Sequence, residues 1–346
     1  MTDPPKAAPL TRRQLLLGLG AAGAAAAVGK LLWPFGRGAL PGPDGLQAAG
    51  RTGFALGAQM STLALHENRT TAEEAVQAAF AELQTVESVM SLYRPQSQLC
   101  RLNREGVLLR PHPYLVRVLE KARTMSAASG GDFDITVQPL WTLYASAKQN
   151  GRLPSAAEIE RARRLVDWRR VEVRVDRIQL KHKGTAVTLN GIAQGFAADR
   201  ALEALAAKGV RHALVDTGEI GALGRRRDGE LWTVGIRHPR HQEAYISRAG
   251  LDGRCVATSG DYATTFSPDR VHNHIFDPRT GCSPNVFQSV TVLARSGLEA
   301  DALSTAVFVA GFERGIKLIE ASPGAEALFV LKSGETRATS GFPGKV

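Results

Sequence analysis

Cysteine is scarce. The 346 residues hold three, Cys100, Cys255 and Cys282. That is too few and too scattered for a disulfide framework or a zinc site, and no Cys-x-x-Cys occurs. One disulfide stays open, with one thiol left over. Aromatic residues make up only 6%. They do not alternate along the densest basic run, Arg161, Arg163, Arg164, Arg169 and Arg170, which reads as a solvated face and not as a stacking platform for nucleic acid. No block of five or six like charges occurs, although the net charge is +10. A basic protein of this kind meets anionic partners, nucleotides among them. No Ser or Cys elbow marks a resident nucleophile. What remains is ordinary for a globular chain, 44% hydrophobic and 22% charged, and long enough for one large domain or two small ones.

The N-terminus reads as an address. Thr11-Arg12-Arg13-Gln14-Leu15-Leu16-Leu17 precedes a Gly/Ala-rich apolar stretch to about Val28. Paired arginines before a weakly hydrophobic segment form the twin-arginine export pattern. The stretch is too short to be read as a membrane span. No Cys follows it as a lipid anchor, and no clean Ala-x-Ala cleavage site ends it. The expected organisation is a signal segment over 1–33, a Gly/Pro linker over 34–50 and one folded domain over 51–346.

Within that domain, Thr52 to Leu65 reads as a strand interrupted at 57–62. Thr71 to Glu74 reads as a capping box, followed by Val76, Phe80, Leu83, Val86 and Met90 at helical spacing. Further helices are expected from Pro113 to Ala128, from Ser155, from Asn190-Gly191 to before Gly209, and from Ser296 to about Ala310. Val171 to Leu189 reads as two strands. Asp228-Gly229 and Asp252-Gly253 read as hairpin turns, and Ser289 to Ala294 and Ala327 to Leu331 as strands. Strands arriving in hairpins predict an α+β fold with mainly antiparallel sheet.

Three places point to chemistry. Val271 to Gly281 reads as a short strand with His272 and His274 on one face, ending in Asp277-Pro278-Arg279-Thr280-Gly281. A histidine on a rigid strand end is a candidate general base, and two surface histidines before a turn are the plainer alternative. Asp301 and Thr305 share one face of a helix's first turns. Asp301 reads either as a helix-end acid or, with Thr305, as oxygen ligands for Mg²⁺. The strand–turn–helix at Asn190 to Gly195 can present backbone N–H groups to phosphate.

These pieces together resemble one family, the ApbE-type FAD:protein FMN transferases, from about Gly53 to Ile319. Met60-Ser61-Thr62 is similar to the family's Met-Gly-Thr. Ser91-Leu92-Tyr93 with Ser97 and Leu102-Asn103 resembles its Ser-x-Tyr segment. Gly131 to Leu140 resembles its Gly-x-Phe-Asp-x-Thr-x-x-Pro-Leu, and Thr188 to Gly195 with Asp199 its Asp-Leu-Gly-Gly-Ile-Ala-Lys-Gly…Asp. Thr258 to Tyr262, His274 to Gly281, and Glu299-Ala300-Asp301 with Ser304-Thr305 complete an ordered set of seven.

The resemblance implies a T-fold-like α+β domain that binds FAD and Mg²⁺. Such a domain moves FMN onto a Ser or Thr hydroxyl of an acceptor flavoprotein and releases AMP. It implies that Met60, Tyr93 and Asp132-Phe133-Asp134 line the flavin nucleotide and that Thr188 and Gln194 contact FAD. It further implies that Gly191, Asp301 and Thr305 hold the metal and that His274 is the base. Three positions depart from the family. Ser61 replaces Gly, Thr188 replaces Asp, and Gln194 replaces Lys, the last two losing charges of opposite sign. Two alternatives stay open: an exported FAD carrier without transfer, and an FAD pyrophosphatase using water as acceptor. The twin-arginine leader with Asn-Gly-Ile-Ala-Gln-Gly is similar to the branch serving exported respiratory flavoproteins, accessory proteins of nitrous-oxide reduction among them. Location in the periplasm, partnership with the twin-arginine machinery and no role for nucleic acid follow as expectations.

Overall fold

The computed structural model describes residues 45–241 and 243–344. The twin-arginine segment and most of the proposed linker lie outside the described residues. The chain opens with β1 (Gln47–Ala55) and β2 (Ala58–His66). The interrupted strand expected here is therefore a tight hairpin, turning at Leu56-Gly57, with Met60-Ser61-Thr62 inside β2. Strand β1 also begins four residues before the domain boundary expected at Arg51.

Helix α1 (Arg69–Met90) follows. Asn68, not Thr71, caps it: the Asn68 side chain accepts the Thr71 N–H at 3.1 Å. Its buried face carries Val76, Phe80, Leu83, Val86 and Met90, the set read from periodicity. At roughly 1.5–3 kcal/mol for each large apolar side chain, this face outweighs the helix's intrinsic propensity. Then come α2 (Gln98–Glu105), β3 (Val107–Leu109) and α3 (Pro113–Ala128), followed by α4 (Gln138–Gln149) and α5 (Ala156–Arg163). Helix α5 opens on the expected capping box, with Ser155 and Glu158 bonding reciprocally. Helices α2 and α4 were not anticipated.

Strands β4 (Val171–Val173) and β5 (Arg177–Leu180) complete a small antiparallel sheet in the order β3-β5-β4. Helix α6 (Ala193–Ala207) leads to β6 (His212–Asp216) and β7 (Ile220–Leu223). Next come β8 (Trp232–Arg237), β9 (Tyr245–Leu251), β10 (Cys255–Gly260) and β11 (Phe287–Ala294). The chain ends with α7 (Gly297–Ala310), α8 (Phe312–Glu320), β12 (Glu326–Leu331) and β13 (Thr336–Ala338).

The main sheet has eight strands in the order β1-β2-β6-β7-β10-β11-β12-β13, and its neighbours pair antiparallel. The α+β class with antiparallel sheet is as expected. One face of the sheet is covered by α1 and α6, which share a core. Helix α7 covers the β10–β12 part through Phe308, which packs with Phe287 and Phe329. The β8–β9 hairpin covers the opposite face, with Trp232, Val234 and Ile236 against Leu63, Leu65 and Leu214. The Asp252-Gly253 turn therefore passes the chain from this hairpin to the main sheet and does not close a hairpin of its own.

One expectation fails outright. Val271 to Phe276 is not a strand. It is a loop touching another segment through a single bridge, Thr265 to Asn273. Asn273 is the reason. Its side chain accepts the Ile275 N–H at 3.1 Å, and its own N–H donates to Ser283 Oγ at 2.9 Å. Local side-chain bonds of this kind compete with a strand ladder.

Candidate active site

Two helices meet N-terminus to N-terminus beside the main sheet. Asp199, in the second turn of α6, accepts the N–H groups of Gly297 at 2.6 Å and Leu298 at 3.0 Å, at the start of α7. Asp301, in the second turn of α7, accepts the N–H of Gly195, at the start of α6, at 3.0 Å. Each helix supplies the carboxylate that caps the other. The lock needs two glycines. A Cβ on Gly195 would lie 2.0 Å from the Gly297 carbonyl oxygen, and one on Gly297 would lie 2.4 Å from that of Gly195.

This crossing fixes Asp301 and Thr305 at the wall of a cavity that also takes Gly191, Thr188, Gln194 and His274. A Cβ on Gly191 would stand 2.8 Å from Thr305 Oγ1, so only glycine lets this backbone reach the hydroxyl. Ser259 Oγ lies 3.1 Å from Thr305 Oγ1 and 2.8 Å from Ser304 Oγ. A carboxylate, hydroxyls and a peptide segment without a Cβ form a hard oxygen donor set, which suits Mg²⁺. Among the described residues, no group of three or more His, Cys, Asp or Glu side chains forms a metal centre. Any ion here therefore relies on hydroxyl, peptide or substrate oxygens. Burial raises the Asp301 carboxyl above its ordinary range.

His274 lines the same cavity. Its Nδ1 lies 3.3 Å from the Thr264 carbonyl oxygen, and its N–H donates to that oxygen at 3.0 Å. With Nδ1–H turned to Thr264, Nε2 keeps the lone pair. Burial lowers the His274 pKa to about 4, so the imidazole is neutral near pH 7. His272 does not share the site as the strand reading required. It packs against Tyr144 with ring centroids 5.9 Å apart.

The cofactor set divides. Tyr93, Asp132, Phe133, Asp134, Thr188 and Gln194 line the cavity. Met60 does not: its side chain is buried in the core under α1. Leu56, at the tip of the same hairpin, lines the cavity instead. Tyr93 rests on the turn beside it, where a Cβ on Gly57 would lie 2.7 Å from the Tyr93 ring. Asp132 is buried and ion-paired with Arg279 at 2.9 Å and with Arg314. Asp134 accepts from Thr136 N and Oγ1 at 2.7 and 2.6 Å and from Trp168 N at 3.0 Å. These two acids hold their own segment in place. Burial nevertheless raises Asp134 to about 6.

Gln194 donates from Nε2 to the Thr217 carbonyl at 3.1 Å and accepts from Thr217 Oγ1 on its backbone oxygen at 2.8 Å. Sequence reasoning missed one acid, Glu219, which lines the cavity from the β6–β7 turn. Its signal was an acid directly after glycine, between two apolar strands. The three thiols are free, so no disulfide forms among the described residues.

The profile of the ApbE family matches residues 56–329. An FAD:protein FMN transferase of Treponema pallidum is 32% identical over 297 residues, covering 79% of this chain and 81% of that protein. Another from Vibrio cholerae is 31% identical over 251 residues, covering 69% and 74%. Among solved structures, the ApbE protein of Thermotoga maritima superposes with a TM-score of 0.76 at 28% identity, covering 85% of this chain and 97% of that one. The apo flavinyl transferase ApbE of Pseudomonas stutzeri does so with a TM-score of 0.73 at 31% identity, covering 85% and 95%.

Proposed function

Because the chain belongs to the ApbE family, we propose that it is an exported FAD:protein FMN transferase. It takes the FMN half of FAD, with Mg²⁺, to a Ser or Thr hydroxyl of an acceptor flavoprotein and releases AMP. The observation that carries this reading is the α6–α7 lock. It gathers Asp301, Thr305 and Gly191 on the cavity that also holds a neutral His274.

His274 Nε2 takes the proton of the incoming hydroxyl. The acceptor oxygen then forms a phosphoester bond to the FMN phosphorus, while the pyrophosphate P–O bond to AMP breaks. A positioned base of this sort contributes about 10²–10⁴-fold. Asp301, Thr305 and the Gly191 carbonyl would hold Mg²⁺, which supplies positive charge to the diphosphate oxygens when bound. Leu56, Tyr93 and Phe133 give the cavity apolar surface suited to a flavin ring. Arg12-Arg13 before the apolar stretch supports export through the twin-arginine machinery to the periplasm, where the acceptor is an exported respiratory flavoprotein.

The test is incubation with FAD, Mg²⁺ and a candidate acceptor. Intact-protein mass should rise by one FMN on the acceptor, with one AMP released per transfer. FMN and AMP appearing equally fast without acceptor, and no acceptor labelled, would assign the chain to FAD hydrolysis instead.

A further inference from the structure

We propose that Glu219 is a second carboxylate donor to the cation held by Asp301 and Thr305, so that two buried acids on one cavity share one divalent ion. This rests on the cation-site reading given above.

Glu219 is 6% exposed and Asp301 4%. Both line the cavity, and the Asp301 charge reaches Glu219. Two consecutive residues of β10 tie the donors together. The Thr258 N–H donates to Glu219 Oε2 at 3.1 Å, and Ser259 Oγ lies 3.1 Å from Thr305 Oγ1. Glu219 Oε1 receives no donor among the described residues.

Arg237 acts on Asp216 and Tyr262, and no basic side chain of the described residues figures among the influences on Glu219. Arg240 and Lys332 both hold Asp261. Arg279 and Arg314 both hold Asp132. Gln194, which lines the same floor, is neutral and donates to Thr217. A buried carboxylate takes up a proton unless a partner of opposite charge or a bound metal keeps it ionised. Among the described residues no basic side chain pairs with Glu219 or Asp301, and a hard divalent cation is the occupant that suits this pair of acids. With Glu219, Asp301, Thr305 and the Gly191 carbonyl, the protein offers four oxygens and leaves open positions for diphosphate oxygens.

The probe is Mn²⁺, titrated by electron paramagnetic resonance into the full chain with AMP present. Wild type, Glu219→Gln and Asp301→Asn are compared. Glu219→Gln keeps the side-chain length and the acceptor for Thr258. It should weaken Mn²⁺ at least ten-fold without lowering the melting temperature, and Asp301→Asn should weaken Mn²⁺ at least as much. Unchanged affinity in Glu219→Gln, with affinity lost in Asp301→Asn, overturns the role of Glu219 and leaves the site reading intact. Unchanged affinity in both variants overturns the site reading and the proposal together. Should Glu219→Gln fail to fold, Glu219→Asp retains the charge but falls short by one methylene. A several-fold weaker Mn²⁺ in that variant supports the proposal, and wild-type affinity overturns it.

Discussion

Desolvation sets what His274 can do. A group whose folded pKa, about 4, lies below its ordinary 6.5 binds its proton less readily in the folded state than in the unfolded one. Between pH 6.5 and 4 the unfolded chain takes up a proton that the folded chain refuses. His274 therefore lowers stability as pH falls through that window, and its effect vanishes above it. His274→Gln should resist acid better than wild type there, by at most about 3 kcal/mol, as read from denaturant midpoints at pH 7 and pH 4.5. At pH 7 the same variant, like His274→Ala, should lose about 10²–10⁴-fold in transfer while binding FAD normally. Loss of FAD binding together with transfer would remove the base assignment. Leu56 is a second residue-scale case. It stands at φ +51° beside Gly57 at φ +79° in the two-residue β1–β2 turn. A turn with both φ positive favours Asn-Gly, and a branched residue is strained there. Leu56 also packs against the main core, so Leu56→Asn relieves about 1–2 kcal/mol of left-handed strain while giving up apolar burial of similar size, and the melting temperature should barely move.

At the scale of elements, the legible features were those whose cause is local. Capping at Ser155 and Ser296 can be read because donor and acceptor lie within three residues. The face of α1 can be read because one helix carries the whole pattern. The α6–α7 lock is not legible in this way. Gly195 and Asp301 stand 106 residues apart, and nothing local says which glycine meets which helix. The sequence marked both motifs, and only the fold shows that each caps the other. The His272/His274 alternation misled for the opposite reason, since Asn273 spends its hydrogen bonds locally. The lock also makes a prediction. In Gly195→Ala the new methyl meets a carbonyl of the other helix backbone at 2.0 Å, and no rotamer relieves that. Overpacking of this kind costs about 1–3 kcal/mol or more. Asp199→Ala instead leaves two N–H groups of α7 without their cap, at about 1–3 kcal/mol. Thermal melts of both variants should fall well below wild type. A Gly195→Ala protein that melts like wild type would show that the helices do not approach as closely as described.

At the scale of the whole molecule, the cavity and the proposed export address occupy separate stretches of chain. The lining residues run from Leu56 to Val309, and the family profile spans 56–329, while the paired arginines are at 12 and 13. Chemistry and location should therefore separate cleanly. A chain beginning at Gly45 keeps β1 whole, with its pairing to β2 from Gln47 onward. It should transfer FMN to an acceptor in vitro at the full-length rate, within about two-fold, and melt at the same temperature. Starting instead at Arg51 removes four residues of an edge strand and the burial of Ala49, so the melt should fall even if the cavity is intact. In cells, Arg12→Lys with Arg13→Lys should leave in-vitro transfer untouched while the protein stays in the cytoplasm and an exported acceptor goes unlabelled, since that machinery reads the arginine pair as such. Fractionation followed by flavin fluorescence of the acceptor band reads both effects at once. A lysine variant that still reaches the periplasm would remove the export assignment and leave the transfer assignment standing.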